Sequence, residues 1–197
     1  MQGQRDTPLD DLGRAQAEAV VPALAALRPV VLLSSDLSRA VDTAQPLACA
    51  TGLTPVHDAR LRELQLGAWQ GLTAEQARER FPQEHADWLA GRDVARGGGE
   101  TYEQAGTRAV ECLREHLPAD GTLLAVTHGG TARAALGRLL DLPVPCWARL
   151  APLDNTCWSV VGEAGRGWRL EQHGVGLDRA PAEPSPPGCP PADGWPL

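Results

Sequence analysis

Lysine is absent from this 197-residue chain, and all 18 basic residues are arginine. That absence excludes a lysine-dependent phosphate loop and any Schiff-base chemistry. No Cys-x-x-Cys pair occurs among Cys49, Cys112, Cys146, Cys157 and Cys189. An odd count without paired spacing argues against a zinc site or a disulfide framework and for free thiols in a reducing compartment. No apolar run reaches membrane-spanning length and no signal-peptide pattern opens the chain, so a cytoplasmic protein without a membrane partner is expected. The formal net charge is −7. With no concentrated basic stretch, nucleic acid is not an expected partner.

What is present is an alternation of short apolar runs and helical patterns. Val30-Val31-Leu32-Leu33 and Thr122-Leu123-Leu124-Ala125-Val126 read as strands buried on both faces, as in a parallel sheet. The pattern predicts a helix over 11–27 with Asp10 as N-cap and a kink or break at Pro22. A second helix is predicted from Ser38 to Thr51, stopped by Gly52. Thr73 with Gln76 and Thr101 with Gln104 are spaced as capping boxes, opening helices to about 81 and 117. Further helices are expected near 83–90 and after Gly130, and further strands near Val56, 157–161 and 168–173. The stretch Arg179–Leu197 holds seven prolines and is predicted to be disordered. One globular unit over 1–175 with a tail over 176–197 follows, built as a three-layer α/β/α sandwich around a mostly parallel sheet.

In such sheets ligands sit beyond the carboxyl ends of the strands. Two segments leave the apolar strands there: Ser34–Arg39 and Thr127–Gly130. His128 precedes Gly129 and Gly130 and a helix N-terminus, where free N–H groups suit an anion and a protonated imidazole would add charge. Arg39, in the first turn of the preceding helix, could grip the same anion or pair with Asp36 or Asp42. Glu63, beside Leu64 and Trp69, would have its pKa raised by shelter near a dianion and could serve as a general acid. Otherwise it is a solvated carboxylate between Arg60 and Arg62. Glu100 either lines the mouth, orients an arginine, or simply opens a helix.

Five ordered blocks carry a family resemblance: Met1–Leu9 with the following Leu12–Ala17, Ser34–Ala44, Leu61–Gly71, Gly98–Thr101 and Thr127–Gly130. Together they resemble the histidine phosphatase (phosphoglycerate mutase-like) superfamily over about residues 1–175. The look is that of its phosphatase branch, nearest to the group acting on glucosyl-3-phosphoglycerate. The resemblance implies a phosphomonoester hydrolase for a small phosphorylated metabolite, acting through a phosphohistidine without metal or other cofactor. It implies Arg39 as a phosphate arginine, His128 as the second histidine and Glu63 as the acid/base. Gln2, Gly3, Gly129 and Gly130 would lie on the substrate side. Two alternatives are a phosphoglycerate mutase and a non-catalytic phosphate- or partner-binding relative. The sequence leaves substrate and oligomeric state open.

The family's nucleophile lies in an Arg-His-Gly motif ending the first strand, and this sequence contains none. The expectation is therefore a phosphoglycerate mutase-like fold lacking that central strand, the nucleophile and one phosphate arginine, with a misassigned start favoured over a genuine shortened form. Strand edges left unpaired would be the structural consequence. A replacement nucleophile is not evident: Cys49 lies away from the predicted edge, and Ser35 has no histidine near it in sequence.

Overall fold

The computed structural model describes residues 1–165 and 167–177. Three parallel strands form the central sheet: β1 (Pro29–Ser34), β2 (Val56–His57) and β3 (Thr122–Val126), in the order β2-β1-β3. Alternation along the strands sends side chains to opposite faces. On one face Leu32, Leu124 and Val126 pack with Leu47 and Ala48 of α2 (Ser38–Thr51) and Val21 and Leu24 of α1 (Asp11–Ala25). On the other, Val31, Leu33, Leu123 and Ala125 meet Ala109, Val110 and Cys112 of α5 (Tyr102–His116) and Ala135 and Leu139 of α6 (Gly129–Leu139). The α/β/α layering follows directly from that two-residue period.

Local signals place the element ends. Asp10 caps α1 by accepting from the Gly13 N–H at 2.7 Å. Gly52 ends α2 in the left-handed region, φ 71°, where a side chain would be strained. Both capping boxes form, at the starts of α3 (Ala74–Arg80) and α5. Between them, α4 (Pro82–Leu89) begins with proline in its first turn, where no N–H is needed.

Several expectations are corrected. Pro22 does not divide α1, which runs unbroken and resumes backbone bonding from the Ala26 N–H to the Pro22 carbonyl. Packing of the helix against α2 outweighs one missing bond. Val30 is 50% exposed, so β1 is buried on both faces only in its later residues. The last two strands, β4 (Trp158–Ala164) and β5 (Gly167–Val175), do not join the parallel sheet but form a separate antiparallel pair. Val161 and Trp168 anchor that pair to the cluster around Leu33. Among the described residues β3 pairs only with β1, and its apolar residues Leu123–Val126 are half-buried. The proline-rich tail expected to be disordered lies outside the described residues from position 178 onward.

Candidate active site

The carboxyl ends of the three strands meet at one edge. There the Ser35 N–H donates to the Val126 carbonyl at 2.9 Å, and the Asp58 N–H donates to the Ser34 carbonyl at 2.9 Å. Ser34 and Ser35 are fully buried. This continuation of the ladder beyond the strands holds the Ser35–Arg39 turn against the Thr127–Gly130 turn.

His128 is the N-cap of α6 in extended conformation, and its ring is buried. Its Nε2 lies 2.9 Å from the Ser35 hydroxyl. Ser35, with no histidine near it along the chain, thus has one beside it in the fold, because parallel register joins residues 93 positions apart. Burial first, then the charges of Arg39 and Arg108, push His128 down to about 3. The ring is therefore neutral at neutral pH, since both desolvation and nearby cations disfavour its charged form.

Glu63 sits on the N-terminus of α6. Its carboxylate accepts from the Leu64 N–H at 2.8 Å, the Thr131 N–H at 3.1 Å and the Gly130 N–H at 3.2 Å. A Cβ on residue 130 would stand 2.7 Å from both the Glu63 oxygen and a Leu64 methyl, so glycine there permits the approach. The first α6 donors are thus filled by Glu63 rather than left free for an outside anion. The surroundings also differ from the apolar shelter expected for Glu63, because N–H groups face its oxygens. Nor is it wedged between neighbouring arginines. Arg62 grips Asp36 bidentately, with both contacts at 2.6 Å, and Arg60 pairs with Asp58 and Glu115.

Arg39 projects from the first turn of α2. Its guanidinium donates to the Gly3 carbonyl at 2.9 Å and the Arg5 carbonyl at 2.7 Å, and it pairs with neither Asp36 nor Asp42. Burial lowers its pKa, against the opposing charges of Glu63 and Asp6. The segment 3–6 is tied down around it. The Asp6 carboxylate accepts from the Ser38 N–H at 2.7 Å, and the Gln4 side-chain amide donates to the Glu63 carbonyl at 3.0 Å. Gly3 takes part through its carbonyl with φ 57°. The Gln2 side chain is exposed and makes no hydrogen bond among the described residues.

Glu100 stands behind this edge. It forms two 2.8 Å bonds with Arg108 and accepts the Gln65 N–H at 2.7 Å. Arg108 in turn donates to the Arg60 carbonyl at 2.5 Å and the Glu63 carbonyl at 3.3 Å. The pair therefore fastens the loop that presents Glu63. Sequence reasoning missed Arg108 and Ser35. Arg108 lies mid-helix with no motif around it, and only the folded register reveals either. Cys112 offers no thiolate: burial, then the Asp58 charge, push it up to about 12.

Arg39, Glu63 and His128 thus come to one edge from three separate segments, with Gly3, Gly129 and Gly130 around them. Residues 1–176 match the histidine phosphatase superfamily (branch 1). The chain belongs to that superfamily. It is 38% identical over 169 residues to a glucosyl-3-phosphoglycerate phosphatase of Mycobacterium tuberculosis (strain CDC 1551 / Oshkosh), covering 81% of this chain and 76% of that protein. A probable phosphoglycerate mutase, GpmB, of Yersinia pestis (strain Pestoides F) is 32% identical over 181 residues, covering 88% and 84%. The fold matches a solved mycobacterial glucosyl-3-phosphoglycerate phosphatase in complex with VO3 at a TM-score of 0.81 and 37% identity, covering 89% of this chain and 90% of that one. The phosphate complex of the same enzyme matches at 0.82 and 36%, covering 89% and 91%. Within the superfamily the phosphatase relatives support an enzyme of that kind, and the mutase reading has less support. No described helix is long and apolar enough to cross a membrane.

Proposed function

We propose that this chain is a cytoplasmic phosphomonoester phosphatase whose substrate is a small phosphorylated metabolite, glucosyl-3-phosphoglycerate being the first candidate. The observation that carries the reading is the convergence of Arg39, His128 and Glu63 on one sheet edge. Arg39 offers guanidinium donors to phosphoryl oxygens, a role that suits its planar fork. His128, at the same edge, is a neutral ring. A dianionic phosphoryl group would raise its proton affinity and turn it into a donor. In the mechanism that the family resemblance implies, Glu63 would protonate the leaving oxygen as a histidine nucleophile takes the phosphoryl group, and would then take a proton from the water that displaces phosphate from that histidine. Gly129 leaves room beside His128, the nearest atom to a Cβ there being the Leu153 carbonyl at 3.7 Å. Glu100 acts through Arg108 as a positioning residue for Glu63.

The covalent step that the family resemblance implies needs a histidine in an Arg-His-Gly motif, and none occurs in these 197 residues. That fact favours a second reading, in which the edge binds a phosphate group without turning it over. One experiment separates the two. Phosphate release from glucosyl-3-phosphoglycerate, 3-phosphoglycerate and p-nitrophenyl phosphate is measured for this chain and for the chain preceded by a segment carrying Arg-His-Gly. Release by either protein, cut roughly a hundredfold or more by Arg39→Gln, supports the phosphatase. Stabilisation by phosphate with no release from either supports binding alone.

A further inference from the structure

A second concentration of arginine lies away from the His128 edge. Arg96 is only 6% exposed. Its guanidinium sits 5.6 Å from the ring centre of Trp88 and 5.2 Å from that of Tyr102. It makes no ion pair or side-chain hydrogen bond among the described residues, and its buried Nε has no partner. Trp88 and Tyr102 also wall a cleft between the end of α4, the start of α5 and α6, lined as well by Trp147, Arg92 and Asp93. Arg133 of α6 lines that cleft, and its buried Nε likewise has no partner.

The nearby carboxylates are already engaged. Asp93 accepts the Tyr102 and Glu103 N–H groups at 2.6 and 3.0 Å, capping α5. Glu84 accepts the Gly97 N–H at 2.7 Å, and Asp87 holds Arg92. Arg133 in the cleft and Arg96 against two of its aromatic walls therefore lack an ion-pair partner among the described residues, and Asp93, the carboxylate that lines the cleft, is taken up by backbone N–H groups. Ring faces attract a cation, but they accept none of the in-plane N–H bonds of a guanidinium. A buried charge ordinarily has a counter-charge.

We propose that this cleft is a second binding site, which takes a small oxyanion-bearing metabolite. Its carboxylate or phosphate is hydrogen-bonded by Arg133 under the field of Arg96, one ring layer behind, and its carbon skeleton lies against Trp88 and Trp147. None of the cleft-lining residues belongs to the His128 edge, so the site stands whether or not the phosphatase reading holds.

The test uses the full chain in an Arg39→Gln background, which weakens the first anion site. Inorganic phosphate and malonate are titrated separately while tryptophan fluorescence and melting temperature are followed. At least one anion is expected to give a saturable fluorescence change, and a melting-temperature rise of about 5 °C or more at a hundredfold excess over Kd. A response to phosphate alone identifies a phosphate group as the ligand, and a response to malonate alone a carboxylate. Arg133→Gln should abolish the response and Arg96→Met should weaken it at least about tenfold. No saturable response to either anion overturns the proposal, as does an undiminished response in Arg133→Gln. If Arg133→Gln fails to fold, Arg96→Met decides by the same criterion.

Discussion

The two arginine-rich regions of this protein are built on opposite principles. At the strand edge the principal charged groups are already matched. Arg39 is held by two carbonyls, Arg62 by Asp36, Glu63 by the α6 N-terminus and Arg108 by Glu100. Between α4 and α6, Arg96 lies over two aromatic faces, and neither it nor Arg133 forms an ion pair among the described residues. The contrast teaches that burial alone does not dictate how a guanidinium is accommodated. Where backbone groups converge, as at strand ends and helix termini, they supply a rigid polar frame. Where helices pack side by side their backbone groups are used internally, and only side-chain surfaces remain.

The largest expected effect concerns His128 and would expose the electrostatic tension inside the matched region. An unfolded imidazole titrates near 6.5, whereas His128 in the fold titrates at about 3. Between those values the unfolded chain binds the extra proton, so stability is lost as pH falls from about 6.5 toward 3 and this loss ends below that. The loss amounts to at most about 5 kcal/mol. Denaturant unfolding of wild type and His128→Gln across this window should show a steeper acid-side decline in wild type. Parallel curves would mean that the ring is not held neutral.

Next in size is the Glu100–Arg108 pair, whose side chains are 15% and 20% exposed. Arg108→Met leaves Glu100 without its cation and frees the Glu63 loop, and should destabilise by about 3 kcal/mol. Substrate turnover, measured alongside, should fall through kcat more than KM, because Glu63 is misplaced rather than removed. A stability loss with kcat intact would reduce the pair to a structural fastening.

A smaller change is expected from Gly130→Ala. The new methyl would meet the Glu63 carboxylate and Leu64 at 2.7 Å, shifting the carboxylate off the helix end and lowering stability by about 1–3 kcal/mol. Phosphate binding and pH-rate profiles would report the displacement. An unchanged melting temperature would show that the Glu63 loop yields freely.

Thr101→Ala should have the smallest effect, about 1 kcal/mol from the lost cap of α5. Because α5 carries Arg108 toward one region and Tyr102 toward the other, this loss should weaken both about equally. Hydrogen exchange confined to one side would show that the two regions are independently supported.

Much of the scaffold was legible along the chain. The bounds of α2, the Gly52 stop, both capping boxes and the positions of the two longer strands of the parallel sheet arise from backbone conformation and hydrophobic period, which act over a few residues. The meeting of Arg39, Glu63 and His128 was approachable because each follows or borders a strand or helix terminus that the topology directs to one edge. Three things were not legible. The antiparallel pairing of β4 and β5 away from the main sheet depends on which edges Val161 and Trp168 can reach. The protonation of His128 depends on burial and on cations remote in sequence. Arg108 and Ser35 gained their roles only through contacts spanning 45 and 93 positions.

By itself, then, the order of residues determined the layers and the turn chemistry, through interactions local enough to be read from spacing. The fold alone decided that the α6 N-terminus holds Glu63, that His128 is neutral against Ser35, and that Arg96 is buried against two rings with no ion-pair partner among the described residues. Those outcomes depend on the dielectric surroundings and on the donors and acceptors brought close, and such quantities exist only once distant segments have packed together.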